Sequence, residues 1–371
     1  MLLSAERILL DDADEFTPGW VELAGDRIVA VGVGVPSSTP DERLDGTVVP
    51  GYVDVHSHGG GGATFTEGAE AAHTVLAVHR ATGTTTMVAS LVTGTIPDLH
   101  AQVAALVPLV EAGDLAGIHL EGPWLAEKYK GAHPPELLTD PDPAEVAALL
   151  ETGRGAVRMA TIAPERTGGL ESIRLMTARG CLAAIGHTDA DYQTACAAVE
   201  AGARGATHLF NAMPPLLHRA PGPVLSLWHD PRVTVELVAD GVHVTLDLIA
   251  WVMATAPGRV ALITDAMGAA AAPDGDYMLG ELAVVVRDRV ARLVSNGAIA
   301  GSTLTLDRAV RNVVAAGVPL VQAVRSATSV PSDYLGLPEV GRLAAGKRAD
   351  LLVLDDDLAV ARVLWRGAWQ S

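Results

Sequence analysis

The sequence predicts a closed (β/α)8 barrel of the TIM type, carrying a small β-sandwich domain built from both ends of the chain. Three observations lead there. Short apolar runs rich in β-branched residues alternate eight times with Ala-rich helical runs, the mark of parallel strands joined by crossover helices. Imidazoles and carboxylates recur at the ends of those runs, where barrels of this type keep their chemistry. Strand-like segments punctuated by turns occupy both termini.

Composition agrees. At 371 residues the chain fits one large barrel with an accessory unit. With 49% hydrophobic, 4% aromatic and 19% charged residues it is an Ala/Val/Leu/Gly-rich globular chain and not a disordered one. A formal net charge of −18 repels nucleic acid and anionic membrane surfaces alike, so neither is expected as a partner. A phosphorylated ligand would need a local basic pocket working against that field. Two cysteines, Cys181 and Cys196, lack CxxC spacing and read as buried thiols in a reducing compartment. Residues 1–10 are interrupted by Glu6 and Arg7, which argues against a secretory signal. The apolar stretch 101–110 is short and contains Pro108, so it is a helix of the fold and not a membrane span. A cytoplasmic location is expected.

Taken in order, residues 20–23 and 27–32 flank a tight turn at Ala24-Gly25-Asp26, a hairpin signal. Near the other end, residues 341–350 lead into strand-like runs at 351–354 and 360–365. The two ends are expected to pair into one domain, 1–48 and 340–371, leaving 49–339 as the barrel. The eight barrel strands are expected at 53–55, 85–89, 117–120, 157–162, 182–185, 206–209, 234–238 and 260–264. An open doubly wound sheet is the alternative, but nothing in the count signals a reversal of strand order.

The first strand ends in His56-Ser57-His58; alternating side chains put both imidazoles on one face, a pair able to grip a metal ion. Later strand ends present Ser90, Glu121, Pro164-Glu165, His187, His208, Asp240 and Asp265. Singly, such a His is more often structural and such an Asp often caps the next helix. Together they point to a metal site, because independent strands place them at equivalent depth. His73, His79 and His100 fall in helical runs and read as solvated, and His229 is given no role. His119 shares a strand face with Glu121 and reads either as a support beneath the site or as a packed interior His. Gly59 to Gly62 lack the GxGxxG spacing and read as a flexible active-site loop, and Ser302 lacks the GxSxG elbow of a serine hydrolase.

Several motifs carry a family resemblance. The HxH strand, Glu121-Gly122-Pro123-Trp124, Lys130-Gly131-Ala132-His133, Gly186-His187-Thr188, Thr207-His208-Leu209-Phe210-Asn211-Ala212-Met213, Asp240-Gly241-Val242-His243 and Thr264-Asp265-Ala266 resemble the amidohydrolase superfamily. Within it they are similar to the N-acetylglucosamine-6-phosphate deacetylases, and the similarity extends to the C-terminal Gly-x-Leu-x-x-Gly-Lys-x-Ala-Asp-Leu motif. The resemblance implies a metal-dependent hydrolase in which Glu121, His187 and His208 hold one catalytic divalent ion. Zinc is the first choice, with iron, manganese or cobalt as alternatives. His56 and His58 would add a second metal position, so one or two ions are implied. The fourth strand end, Thr161-Ile162-Ala163-Pro164, offers no lysine for carbamylation, which leaves Glu121 as the bridging candidate.

By the same resemblance, Asp265 carries the proton from the attacking water to the departing amine, and His133 polarises the amide carbonyl. His243 and Arg219 would contact phosphate; Ala132, Asn211 and Ala212, with Ile299, Ala300 and Gly301, would complete the substrate site. An arginine of this kind serves the neighbouring subunit, which implies a homodimer. The implied partner is a small phosphorylated amino sugar, and the implied reaction releases acetate from N-acetyl-D-glucosamine 6-phosphate. N-acetylgalactosamine 6-phosphate stands as the alternative. A cyclic-amide hydrolase is opposed by the missing lysine, and a non-catalytic barrel by the retained ligands.

Overall fold

The computed structural model describes residues 1–11 and 13–370. Eight parallel strands, Tyr52–Ser57, Thr84–Val92, Gly117–Glu121, Val157–Ile162, Leu182–Ile185, Gly205–Ala206, Thr234–Val238 and Val260–Ile263, are hydrogen-bonded neighbour to neighbour in chain order. The ring closes between its first and last members: the Asp265 amide donates to the His56 carbonyl at 2.9 Å, and the Thr264 hydroxyl to Asp54 Oδ2 at 2.6 Å. Both faces of these strands are covered, so their residues read as nearly unbroken apolar runs in place of an alternation.

A helix follows each strand: Ala69–Ala81, Ile96–Glu111, Pro143–Thr152, Gly169–Ala178, Tyr192–Ala201, Gly222–His229, Leu246–Thr255 and Leu306–Ala315. Local chemistry sets several starts. The side chains of Thr95, Asp142 and Asp191 accept the first free amides of their helices, from Asp98, Ala144 and Thr194. Each such cap contributes about 1 kcal/mol.

One strand and one insertion depart from expectation. The sixth is only Gly205–Ala206, because the backbone leaves the β region at His208 (φ 30°), and Phe210 and Ala212 are left-handed too. Between the eighth strand and its helix the chain inserts a three-stranded antiparallel sheet, Gly275–Leu279, Leu282–Arg287 and Val290–Leu293, which the sequence reading did not anticipate. Its apolar face, with Leu279, Val284, Val286 and Leu293, packs on Val92 and Met267. One of its turns has Asp288 and Arg289 both left-handed, a hairpin turn made without the Asn-Gly or Asp-Gly pair that would announce it.

Both termini build one small β unit, as expected, in the form of a single mixed sheet. Its order is Ala368–Trp369, Val360–Trp365, Leu351–Leu354, Glu42–Pro50, Leu2–Ile8, Thr17–Ala24, Arg27–Val33. Leu2–Ile8 and Glu42–Pro50 pair parallel, and the expected hairpin turns at Gly25-Asp26 between the partners Ala24 and Arg27. Its own core includes Leu3, Ile8, Val21, Ile28, Val48, Leu351 and Leu364. The Gly-Lys-x-Ala-Asp motif ties this sheet to the barrel. Arg348 donates to the Thr85 carbonyl at 3.1 Å and to the Thr86 hydroxyl at 2.5 Å, and pairs with Asp350.

Candidate active site

The strand ends converge. His56 and His58 come from the first strand, Glu121 from the end of the third and His133 from the loop beyond it; His187, His208 and Asp265 follow the fifth, sixth and eighth strands. All seven are buried, from 0% exposed at His56 to 7% at Asp265. His187, His208 and Asp265 have left-handed backbones, with φ of 47°, 30° and 49°. Such non-glycine conformations cost on the order of 1 kcal/mol or more each and persist where surrounding structure enforces them. Here they turn three side chains out of the strand direction and into the barrel mouth.

Glu121 is the hub. Its Oε1 lies 3.2 Å from His187 Nε2, 3.0 Å from His208 Nε2 and 3.5 Å from His56 Nε2, and its Oε2 lies 3.0 Å from His58 Nε2. Asp265 Oδ1 stands 3.3 Å from His58 Nε2 and 3.6 Å from His56 Nε2. His56, His58, Glu121 and Asp265 can therefore share one ion, and Glu121 can also reach one beside His187 and His133.

The donor chemistry fits a divalent cation. His187 Nδ1 donates to the Tyr129 carbonyl at 2.9 Å and His58 Nδ1 to the Ser90 carbonyl at 3.2 Å, since a carbonyl can only accept. His56 Nδ1 stands 3.0 Å from the Glu236 carboxylate. With the protons held at Nδ1, each ring turns an Nε2 lone pair inward, the form in which histidine ligates. The Nε2 atoms of His187 and His208 are 3.0 Å apart, close enough for both to face one cation. His208 Nδ1 is buried with no protein partner.

Charge is balanced within the cluster. Burial opposes a second proton at His58, but Asp265 and Glu121 outweigh it and raise its pKa to about 9, and His56 is raised well above its ordinary value for the same reason; a divalent cation would take the place of those Nε2 protons before the same carboxylates. Reciprocally, burial would raise the Asp265 and Glu121 carboxyls, but His58, His56 and their neighbours hold both well below the usual range. His119 lies beneath, bonded to the Ser90 and Thr161 hydroxyls at 2.9 and 2.8 Å. Burial pushes its pKa well down, and its bond to Ser90 suits a support beneath the site as much as a packed interior His.

The cluster opens into a cavity of about 300 Å³. Ala132, His133, Asn211, Ala212, His243, Ile299 and Gly301 all line it, whereas Ala300 is buried behind the wall with Met267 and Val284. Arg219 stands apart: it is exposed, on the rim of a second cavity with Asp189 and Tyr192. Asp240 is the orienter of His243. Its Oδ1 accepts the Val242 and His243 amides and its Oδ2 meets His243 Nδ1 at 2.7 Å, which leaves Nε2 for a ligand. Glu165 props the loop after His187 by accepting from the Thr188 hydroxyl and the Asp189 amide.

Some lining residues escaped the sequence reading. Lys128 and Tyr129 flank the KGAH motif without sharing its pattern, and Leu279 arrives from the unanticipated sheet. Two expectations are corrected. His79 is fully buried, not solvated: its Nε2 donates to the Gly59 carbonyl at 3.0 Å, and burial lowers its pKa. The Gly59 to Gly62 run is a bonded turn, with the amides of Gly59, Gly61 and Gly62 held by carbonyls of Ala266, Ala270 and Gly268. Gly60 must be glycine because a Cβ there would sit 2.8 Å from His79 Nε2.

Comparison with known proteins agrees with this geometry. The family model described as Amidohydrolase family matches residues 47–369. The N-acetylgalactosamine-6-phosphate deacetylase of Escherichia coli O157:H7 is 35% identical over 381 residues, covering 100% of this chain and 99% of that protein. The N-acetylglucosamine-6-phosphate deacetylase of Vibrio furnissii is also 35% identical, covering 86% and 82%. Among solved structures, a mutant N-acetyl-D-glucosamine-6-phosphate deacetylase from Mycobacterium smegmatis in complex with N-acetyl-D-glucosamine 6-phosphate superposes with a TM-score of 0.97. It is 48% identical, with 100% and 98% of the two chains covered. A match running from the last strand of the N-terminal sheet to the far end of the C-terminal one, over a barrel with this histidine and carboxylate mouth, places the chain in the amidohydrolase family.

Proposed function

We propose that this chain is a metal-dependent deacetylase that hydrolyses N-acetyl-D-glucosamine 6-phosphate to D-glucosamine 6-phosphate and acetate. The observation that carries the reading is a buried cluster of imidazoles and carboxylates that opens into a cavity with His243, held by Asp240, on its wall. The sugar phosphate bound by the Mycobacterium smegmatis enzyme supports the substrate class.

Glu121, His187 and His208 would hold the first divalent ion, zinc in our reading, and His56 and His58 a second. When bound, such an ion polarises the amide carbonyl and lowers the pKa of water from about 15.7 toward about 7. The chain's own residues do the rest. Asp265, ionised at neutral pH, accepts a proton from the attacking water as the new C–O bond forms. It then passes that proton to the amide nitrogen as the C–N bond breaks, so the sugar leaves as an amine and the acetyl group as acetate. Burial pushes His133 down to a pKa of about 3, so it is neutral. With the Thr93 hydroxyl 2.8 Å from its Nδ1, its Nε2–H can donate to the carbonyl oxygen.

Within one chain the cavity has few cationic groups for the phosphate, Lys128 and His243 beside the metal cluster. Arg219, outside that cavity, supports a homodimer in which each subunit lends this side chain to its neighbour's site. The protein fits the cytoplasm, where its two free cysteines stay reduced.

Purified protein supplied with zinc, manganese or iron should release acetate and glucosamine 6-phosphate in equal amounts; no acetate from this substrate rejects the proposal. The full-length match to an N-acetylgalactosamine-6-phosphate deacetylase favours a second reading, the 4-epimeric sugar. Side-by-side kcat/KM values decide between them.

A further inference from the structure

Glu236 is a carboxylate on the seventh barrel strand, fully buried at 0% exposure, that takes no part in the reaction described above. Burying a carboxylate is costly unless its oxygens are satisfied. Its two oxygens face different partners. Oε2 is 3.0 Å from His56 Nδ1, and Oε1 accepts from the Tyr334 hydroxyl at 3.1 Å. Among the described residues no lysine or arginine pairs with it. The chain makes room for this arrangement: a Cβ at Gly205, on the adjacent sixth strand, would stand 1.9 Å from the Tyr334 hydroxyl. Tyr334 closes the helix Ser329–Tyr334, remote in sequence from both of the others.

We propose that Glu236, locked by Tyr334, is the positioning residue for His56: it holds the His56 proton at Nδ1 and so keeps the Nε2 lone pair aimed at the ion shared with His58 and Glu121. The inference rests on the metal-site reading above. A carboxylate behind a ligating imidazole fixes ring tautomer and orientation and raises ligand basicity, and losing it weakens metal binding by about 10-fold to 100-fold. His58 and His187 are held by backbone carbonyls instead, which makes His56 the one ligand whose support is a side chain carrying charge.

The test compares Glu236→Leu, Glu236→Gln and Tyr334→Phe with the parent by chelator competition using zinc alone, alongside nitrogen NMR of the imidazole rings. The parent binding no zinc would sink the metal reading itself, separately from this inference. With zinc bound by the parent, Glu236→Leu should weaken one ion by about 10-fold to 100-fold and leave the other unchanged. The His56 ring should shift from a single Nδ1–H form to a tautomer mixture. Glu236→Gln, whose amide oxygen can still accept from Nδ1, should recover part of the loss, and Tyr334→Phe should lose less than Glu236→Leu. Unchanged zinc affinity and an unchanged His56 tautomer in Glu236→Leu would overturn the proposal. So would an equal loss of every ion together with a collapsed melting temperature, the outcome of a purely structural role.

Discussion

Asp265 is ionised at neutral pH because His58 and His56 stabilise its carboxylate more than burial penalises it. A proton carrier must start without the proton. Asp265→Asn keeps the shape and cannot accept one, so kcat should fall by about 10²-fold to 10⁴-fold. Elemental analysis should show the metal retained; near-normal turnover would remove Asp265 from the mechanism. His243 supplies a second test. Burial disfavours its charge, but Asp240, and more distantly Asp265, raise its pKa above the ordinary value. The charge therefore persists to higher pH than on an ordinary imidazole and is lost as pH rises through that raised value. Affinity for the phosphorylated sugar should fall on the alkaline side, and Asp240→Asn should move the fall in 1/KM to lower pH; an unmoved limb would break the link. At this scale the clustered imidazoles and carboxylates are legible because they end apolar runs, where such residues stand out. His79 was not, because a helical histidine reads the same whether it faces water or, as here, a glycine carbonyl. Lys128 was hidden because nothing in a lone lysine says that its loop folds over a cavity.

The elements were legible wherever an apolar run was long enough to be a strand. The sixth strand is shorter than its sequence suggests, because the apolar residues after Ala206 favour β structure while the backbone has already turned at His208. The inserted sheet 275–293 is hard to read because its alternation is short and the turn at Asp288-Arg289 lacks glycine at its left-handed positions. The sixth strand also has a testable constraint. At Gly205 a methyl group would meet the Tyr334 hydroxyl at 1.9 Å and the Ala184 Cβ at 2.8 Å. Gly205→Ala should cost about 1–3 kcal/mol, the range for overpacking a filled core. Pairing it with Tyr334→Phe should recover part of that loss in a denaturant titration; a single variant as stable as the parent would contradict the packing.

For the whole molecule, the barrel and the terminal sheet are joined by continuous chain and by pairing. Glu42–Pro50 leads directly into the first barrel strand, and Leu351–Leu354 covers its edge from the other end of the sequence. Ending the chain at residue 339 would expose that edge and the buried side chains of Leu351's partners. Calorimetry should show a lower melting temperature and aggregation; an unchanged transition would mean that the barrel stands alone. The pairing of the two ends was legible from their strand pattern. The way the sheet fastens to the barrel was not, since Arg348 reaching the Thr85 carbonyl depends on a crossing that no local pattern records.

Acetate release would depend on a divalent ion that Glu121, His187 and His208 would hold, with His56 and His58 beside it. Its most direct test is acetate release from N-acetyl-D-glucosamine 6-phosphate by protein stripped with a chelator and then titrated with zinc. The stripped protein should show no turnover, and activity should rise with the first equivalents of zinc bound. Stripped protein that hydrolyses the substrate at an undiminished rate would contradict it.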